Sequence, residues 1–219
     1  MPAESTINCL NRSPLVAILR LDDLSNAVEL SRVLLDAGVI VQEFTLSNPE
    51  AIDAIRRVRE EIEEFSTDAA TLGIGSVRTT TQAEEAISAG AQFVVTPVLV
   101  ENVISHCCQY DIPVFPGALT PTEIAKAWDL GATAVKIFPA RAFGPSYIKD
   151  LLAPMPDLKL LPTGGVTLEN IPAYMEAGAM AVGVGGNLFS SSDVEAKRWE
   201  DVRASASAFT RCIHKWMQQ

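Results

Sequence analysis

Eight short apolar runs, each followed by a stretch of helical spacing, predict an α/β fold of parallel strands closed into a (β/α)8 TIM barrel. The runs at 15–19, 39–46, 71–74, 92–96, 112–115, 133–138, 158–161 and 180–184 begin roughly 20 to 32 residues apart. They are rich in Val, Ile and Leu, as strands covered on both faces require. Four of the intervening helices end on glycine, in Asp-Ala-Gly at 36–38, Ser-Ala-Gly at 88–90, Asp-Leu-Gly at 129–131 and Glu-Ala-Gly at 176–178. Glycine closes a helix well because it enters left-handed conformations without a Cβ penalty. The first run leads into Arg20-Leu-Asp-Asp, where an open doubly wound sheet would carry a glycine-rich turn. The chain is therefore expected to be a single barrel domain spanning 1–219, short for its class.

Each element can be justified in order. The first strand stops at Arg20, and the helix after it closes at Gly38. The second strand carries Glu43 inside an apolar run, and the third runs through Gly73-Ile-Gly-Ser76. Thr79, Thr80 and Thr81 open the next helix before Gln82. The fourth strand ends near Pro97, and the fifth precedes Thr120-Pro121-Thr122-Glu123, which combines a capping threonine, a first-turn proline and an acid at the third helical position. The sixth strand carries Lys136, the seventh runs into Thr163-Gly-Gly, and Thr167-Leu-Glu-Asn opens the helix that ends at Gly178. The eighth strand leads into Gly183-Val-Gly-Gly-Asn187. From Asp193 to about residue 216 one long amphipathic helix is expected, with Val194, Trp199, Val202, Phe209, Ile213 and Trp216 near one face.

Composition excludes several function classes. The 219 residues carry 27 acidic and 17 basic groups, a net charge of −10, which argues against nucleic-acid and anionic-membrane partners. An anionic substrate must therefore be held by local donors. The N-terminal stretch has no apolar signal core, and no run approaches the roughly 20 apolar residues of a membrane span, so a cytoplasmic location is expected. Cys9, Cys107, Cys108 and Cys212 form no Cys-x-x-Cys pair, and free thiols in a reducing compartment suit them better than a metal half-site built with His106. No metal and no cofactor is expected.

The informative residues are charges where a packed core would not choose them. Burying Glu43 or Lys136 alone would cost several kcal/mol, so each needs a partner or a shifted pKa. Strands two and six are both even, and a barrel layer draws on alternate strands, so the two side chains can share a level. A desolvated lysine amine forms Schiff bases with carbonyl substrates, and a neighbouring carboxylate can move the protons. A structural Lys–Glu brace is the alternative. The glycine-rich turns after strands seven and eight point to a phosphate held by backbone amides. Arg20 can fork onto a carboxylate or pair with Asp22 or Asp23; Ser76 and Thr163 can touch substrate or cap the following helix.

These residues fall in motifs that resemble the 2-keto-3-deoxy-6-phosphogluconate (KDPG) and 4-hydroxy-2-oxoglutarate (KHG) aldolases, the class I, Schiff-base type. The likeness runs over roughly residues 14 to 190, through Pro14-Leu-Val-Ala-Ile-Leu-Arg20, Glu43-Phe-Thr-Leu46, Gly73-Ile-Gly-Ser76, Val95-Thr-Pro97, Pro116-Gly117, Lys136-Ile-Phe-Pro139, Phe143-Gly-Pro145 and Pro162-Thr-Gly-Gly165. The resemblance implies Lys136 as the Schiff-base lysine and Glu43 as the acid/base. It implies Arg20 and Thr163 on the pyruvate-half carboxylate, Ser76 and Pro97 lining the site, and Phe138 beside the imine. Amides around Gly164, Gly165, Gly185 and Gly186 would hold the phosphate. It further implies cleavage of a phosphorylated keto-deoxy sugar acid to pyruvate and glyceraldehyde 3-phosphate, by a homotrimer. The galactonate epimer, unphosphorylated 4-hydroxy-2-oxoglutarate, a non-catalytic sugar-phosphate binder and an isomerase with a structural Lys–Glu pair stand as alternatives. Ser47, Ile74 and Asn187 depart from the family pattern and bear on substrate preference.

Overall fold

The computed structural model describes residues 2–218, a parallel α/β fold. Strands and helices alternate: β1 (Leu15–Leu19), α2 (Ala27–Asp36), β2 (Val41–Thr45), α3 (Ala51–Glu61), β3 (Thr71–Gly75), α4 (Thr80–Ser88), β4 (Phe93–Val95) and α5 (Glu101–Gln109). There follow β5 (Val114–Phe115), β6 (Gly117–Ala118), α6 (Pro121–Asp129), β7 (Val135–Ile137), α7 (Pro145–Leu152), β8 (Leu160–Pro162), α8 (Ile171–Glu176) and β9 (Val182–Val184). All eight expected runs contain strand. The fifth is split, because Pro116 has no N–H to give to a ladder. Its two halves serve different sheets, of order β5-β4-β3-β2-β1-β9 and β6-β7-β8. The Pro116 carbonyl still accepts from the Lys136 amide at 2.9 Å, and an isolated parallel bridge joins Thr163 to Gly183.

The ends of the helices follow the expected chemistry. Thr79 accepts from the Gln82 amide, and Thr120 and Glu123 form a reciprocal capping box with Pro121 in the first turn. Gly38, Gly90, Gly131 and Gly178 all have φ between +83° and +107°. The helix expected from Thr167 starts later, at Ile171, because the Asn170 side chain takes the Thr167 amide and holds 167–170 as a turn.

Two departures concern the ends of the chain. The residues before β1 form a helix, α1 (Pro2–Arg12), whose first turns lack an apolar period visible in the sequence. The single long helix expected over 193–216 is instead two, α9 (Ser191–Glu195) and α10 (Trp199–Met217). Lys197 adopts φ +54° between them, and Arg198 folds back to donate to Asp193 through both side chain and backbone. The apolar stripe survives the break: Val194, Val202, Phe209 and Ile213 are buried and α10 packs on α2 and α8.

The core has two parts. The larger lies between strands and helices. The smaller gathers Val16, Val41, Phe93, Val95, Phe115 and Leu161 from strands of both sheets, with Ala134 and Ala181, and α1 inserts Cys9 and Leu10 into it. Strand parity sorts the side chains: Phe44, Val135 and Ile137 face the helices, whereas Val41 and Ala134 face the inner cluster. Glu43 and Lys136, two residues on from Val41 and Ala134, project from that same inner side. Among the described residues no helix is long and apolar enough to cross a membrane.

Candidate active site

Glu43 and Lys136 are only 2% and 6% exposed. The space for the Glu43 carboxylate is made by a missing side chain: a Cβ at Gly75 would lie 1.7 Å from Glu43 Oε1. Gly73, two residues earlier, is needed just as strictly, because a Cβ there would meet the Phe93 ring at 2.3 Å. Glu43 Oε1 is buried without a hydrogen-bond partner. Burial pushes its pKa above the usual glutamate range, and the charges of Lys136 and then Arg20 pull against that shift. Lys136 makes no ion pair among the described residues; its Nζ stands 5.3 Å from the centroid of the Phe138 ring.

Lys136 opens into a cavity of about 340 Å³ at the carboxyl ends of the strands. Arg20, Phe138, Thr163, Gly164, Gly165, Gly185 and Gly186 line it with Lys136, which brings together eight of the eleven residues singled out in the sequence. Arg20 is exposed and makes no ion pair with Asp22 or Asp23; Asp23 instead accepts from Ser25. The glycines differ in why they are glycine. Gly183 leaves room for Thr163, whose Oγ1 would be 2.3 Å from a Cβ, and Gly164 and Gly165 have φ +87° and +91°. Gly185 and Gly186 have ordinary φ, and a Cβ there would meet nothing nearer than 3.9 Å. Packing does not demand glycine at 185 and 186, so what they provide is open backbone facing the cavity. Asn187 latches the two glycine turns together by donating to the Val166 carbonyl at 2.9 Å. A second lobe of about 630 Å³ continues past Arg20 toward Ser190, Asp193 and Ser205.

Three expected residues lie apart from the lining. Glu43 sits behind the cavity wall, while Ser76 and Pro97 border it on neither lobe. Ser76 is not a helix cap, since Thr79 fills that position; it follows β3 with φ +63°. Of the departures from the family pattern, Ile74 faces away from the cavity, buried by strand parity in the outer, helix-facing core. Ser47 shares a hydrogen bond with Thr45 at 2.7 Å. The sequence reading missed Arg141 and Ile18 in the lining and Gly75 beside Glu43. Gly75 ends β3 beside the strand that carries Glu43, and its reason lies across that pairing; Arg141 lies beyond the strand in a short turn and carried no local signal. His106, Cys107 and Cys108 do not converge: Cys107 is buried, with burial pushing its thiol up to about 12, and Cys108 points to the Gly131 carbonyl. No group of three metal-ligating side chains forms among the described residues.

Comparison with known proteins sets this geometry in context. The family model described as KDPG and KHG aldolase matches residues 6–205. A 2-dehydro-3-deoxy-6-phosphogalactonate aldolase of Escherichia coli K12 is 33% identical over 201 residues, covering 91% of this chain and 96% of its own. A 2-dehydro-3-deoxy-phosphogluconate aldolase of Haemophilus influenzae is 34% identical over 201 residues, covering 91% and 92%. A solved structure described as native KDPGal superimposes with a TM-score of 0.85 at 32% identity, over 94% of this chain and 97% of that one.

Proposed function

Because the chain belongs to the KDPG and KHG aldolase family, we propose that it cleaves 2-keto-3-deoxy-6-phosphogluconate reversibly to pyruvate and glyceraldehyde 3-phosphate through an imine on Lys136. The observation that carries this reading is a nearly buried lysine, without an ion pair among the described residues, opening into a cavity that also presents Arg20 and two glycine turns. An amine so placed, desolvated and facing the cavity, is positioned to meet a bound carbonyl as a nucleophile.

The chemistry assigns each group a task. Lys136 Nζ adds to the C2 carbonyl to give a carbinolamine, which loses water to become an iminium. Removal of the C4 hydroxyl proton then breaks the C3–C4 bond, and its electron pair moves into the iminium to give an enamine. Glyceraldehyde 3-phosphate leaves, C3 takes up a proton, and water hydrolyses the imine to free pyruvate and Lys136. Glu43, whose pKa burial raises above the usual glutamate range, serves these transfers. Arg20 and Thr163 take the keto-acid carboxylate, Phe138 packs beside the imine, and amides at Gly164, Gly165, Gly185 and Gly186 take the phosphate. Ser76 and Pro97 keep a substrate-lining role only if substrate extends beyond the cavity toward strands β3 and β4. The reaction uses no metal and no cofactor.

The reading includes a closed (β/α)8 barrel forming one domain. The Thr163–Gly183 bridge, the Pro116 carbonyl taken by Lys136 and an inner core fed by both sheets support closure. It also includes a cytoplasmic homotrimer; exposed Val98 and Phe143 near the ends of β4 and β7 support self-association. A second substrate, the C4-epimeric galactonate, is favoured by the likeness to the Escherichia coli enzyme and to the KDPGal structure.

Borohydride trapping with pyruvate, followed by peptide mapping, tests the mechanism. A reduced pyruvyl adduct on Lys136, lost in Lys136→Met, is the expected result. No adduct on folded wild-type protein would overturn it in favour of a sugar-phosphate binder, and full activity in Lys136→Met in favour of isomerase chemistry elsewhere.

A further inference from the structure

The cavity that holds Lys136 has a third cation, Arg141, and no carboxylate in its lining. In a chain of net charge −10 this concentration of positive charge has to be built locally. Six arginines elsewhere are engaged: Arg56, Arg198 and Arg203 pair with carboxylates, and Arg12, Arg32 and Arg57 donate to backbone carbonyls, while Arg59, Arg78 and Arg211 lie outside both lobes of the cavity. Arg141 does neither among the described residues.

Its root is nonetheless fixed. Arg141 lies in a single 3-10 turn, Ala140–Ala142, just past β7. The Ala140 amide donates to the Thr163 carbonyl at 2.8 Å and the Arg141 amide to the Gly164 carbonyl at 2.9 Å. A Cβ at Gly165 would lie 2.5 Å from Arg141 Cβ, so only glycine lets the two backbones approach this closely. The turn is thus fastened to the glycine loop, and the flexible end of an exposed guanidinium is left at the cavity rim.

We infer that Arg141 is a specificity residue that holds the anion at the end of the substrate remote from the ketone. This rests on the reading above, in which Arg20 takes the carboxylate at the near end. Two guanidiniums on one cavity then match a substrate with two anionic ends. The guanidinium recognises a phosphate by charge-assisted, paired N–H···O bonds, and it does so for either C4 epimer, because both carry the same terminal phosphate.

The test compares Arg141→Gln and Arg141→Lys with wild type on 2-keto-3-deoxy-6-phosphogluconate and on the same sugar acid without its phosphate. In Arg141→Gln the KM for the phosphorylated substrate should rise at least about ten-fold with a much smaller change in kcat. The ratio of kcat/KM between the two substrates should fall about ten-fold, and inhibition by inorganic phosphate should weaken in parallel. Arg141→Lys, which keeps the charge, should recover part of each effect. An unchanged substrate ratio and unchanged phosphate inhibition in Arg141→Gln would overturn the inference while a pyruvyl adduct on Lys136 leaves the aldolase reading standing. Equal losses on both substrates would overturn it too, since that pattern belongs to general disruption of the site. Failure of the wild-type protein to form the adduct is the separate result that removes the reading itself.

Discussion

Glu43 shows how much a single side chain can carry. Its folded pKa is raised chiefly by burial, so the folded chain keeps a proton at pH values where the unfolded chain has already lost it. Stability from this group is therefore fully present below the unfolded value of 4.5 and is lost as pH rises through the higher folded value. Glu43→Gln removes the titration. Thermal melts from pH 4 to 8 should show the variant gaining on wild type as pH rises above 4.5, while its aldol cleavage falls at least about 10²-fold. A constant gap in Tm across that range would mean that Glu43 titrates alike in both states. The buried charges were legible because strands covered on both faces rarely include Glu or Lys. Gly75 was harder to read, because its reason is a clash with a residue 32 positions away, and Arg141 harder still, because a surface arginine looks alike whether it faces solvent or a cavity.

At the scale of elements, the helix caps follow local chemistry closely, and that is why they could be read from the sequence. Thr120 and Glu123 satisfy each other's backbone donors within four residues, and Pro121 between them has no donor to leave unsatisfied. Thr120→Ala should cost about 1 kcal/mol in urea unfolding and leave KM and kcat unchanged, since the box lies outside both lobes of the cavity. A loss well above 2 kcal/mol would mean that the box also braces the strand before it. The elements that resisted reading have non-local causes. α1 holds its place because Cys9 and Leu10 fill the inner cluster and Thr6 shares a hydrogen bond with Thr71, neither of which a local pattern records. The interruption between α9 and α10 depends on Lys197 taking a left-handed turn and on Arg198 reaching back to Asp193. The fifth strand divides at Pro116, and its second half, β6, lies past the apolar run that marked it.

Taken whole, the molecule ties its last helix to its earliest elements. Thr210 on α10 donates to the Ala37 carbonyl at the end of α2, and α10 covers α8 as well. A single cooperative unit is expected on this ground. The three tryptophans report on distant parts, Trp128 through its bond to Asp157 and Trp199 and Trp216 on α10. Unfolding followed by their fluorescence and by far-ultraviolet circular dichroism should give coincident midpoints. An earlier fluorescence transition would instead mark α10 as a separately melting part.

The inward seat of Cys9 and Leu10 has a consequence for traffic. With α1 stoppering one end of the proposed barrel, reactants and products share a single doorway at the other. On the proposed mechanism the keto-acid fragment, tethered to Lys136, would occupy the blind end, and the aldehyde fragment would stand between it and the exit. Departure is then queued: the aldehyde goes first, and the empty place it leaves is the route by which water arrives to release the last passenger.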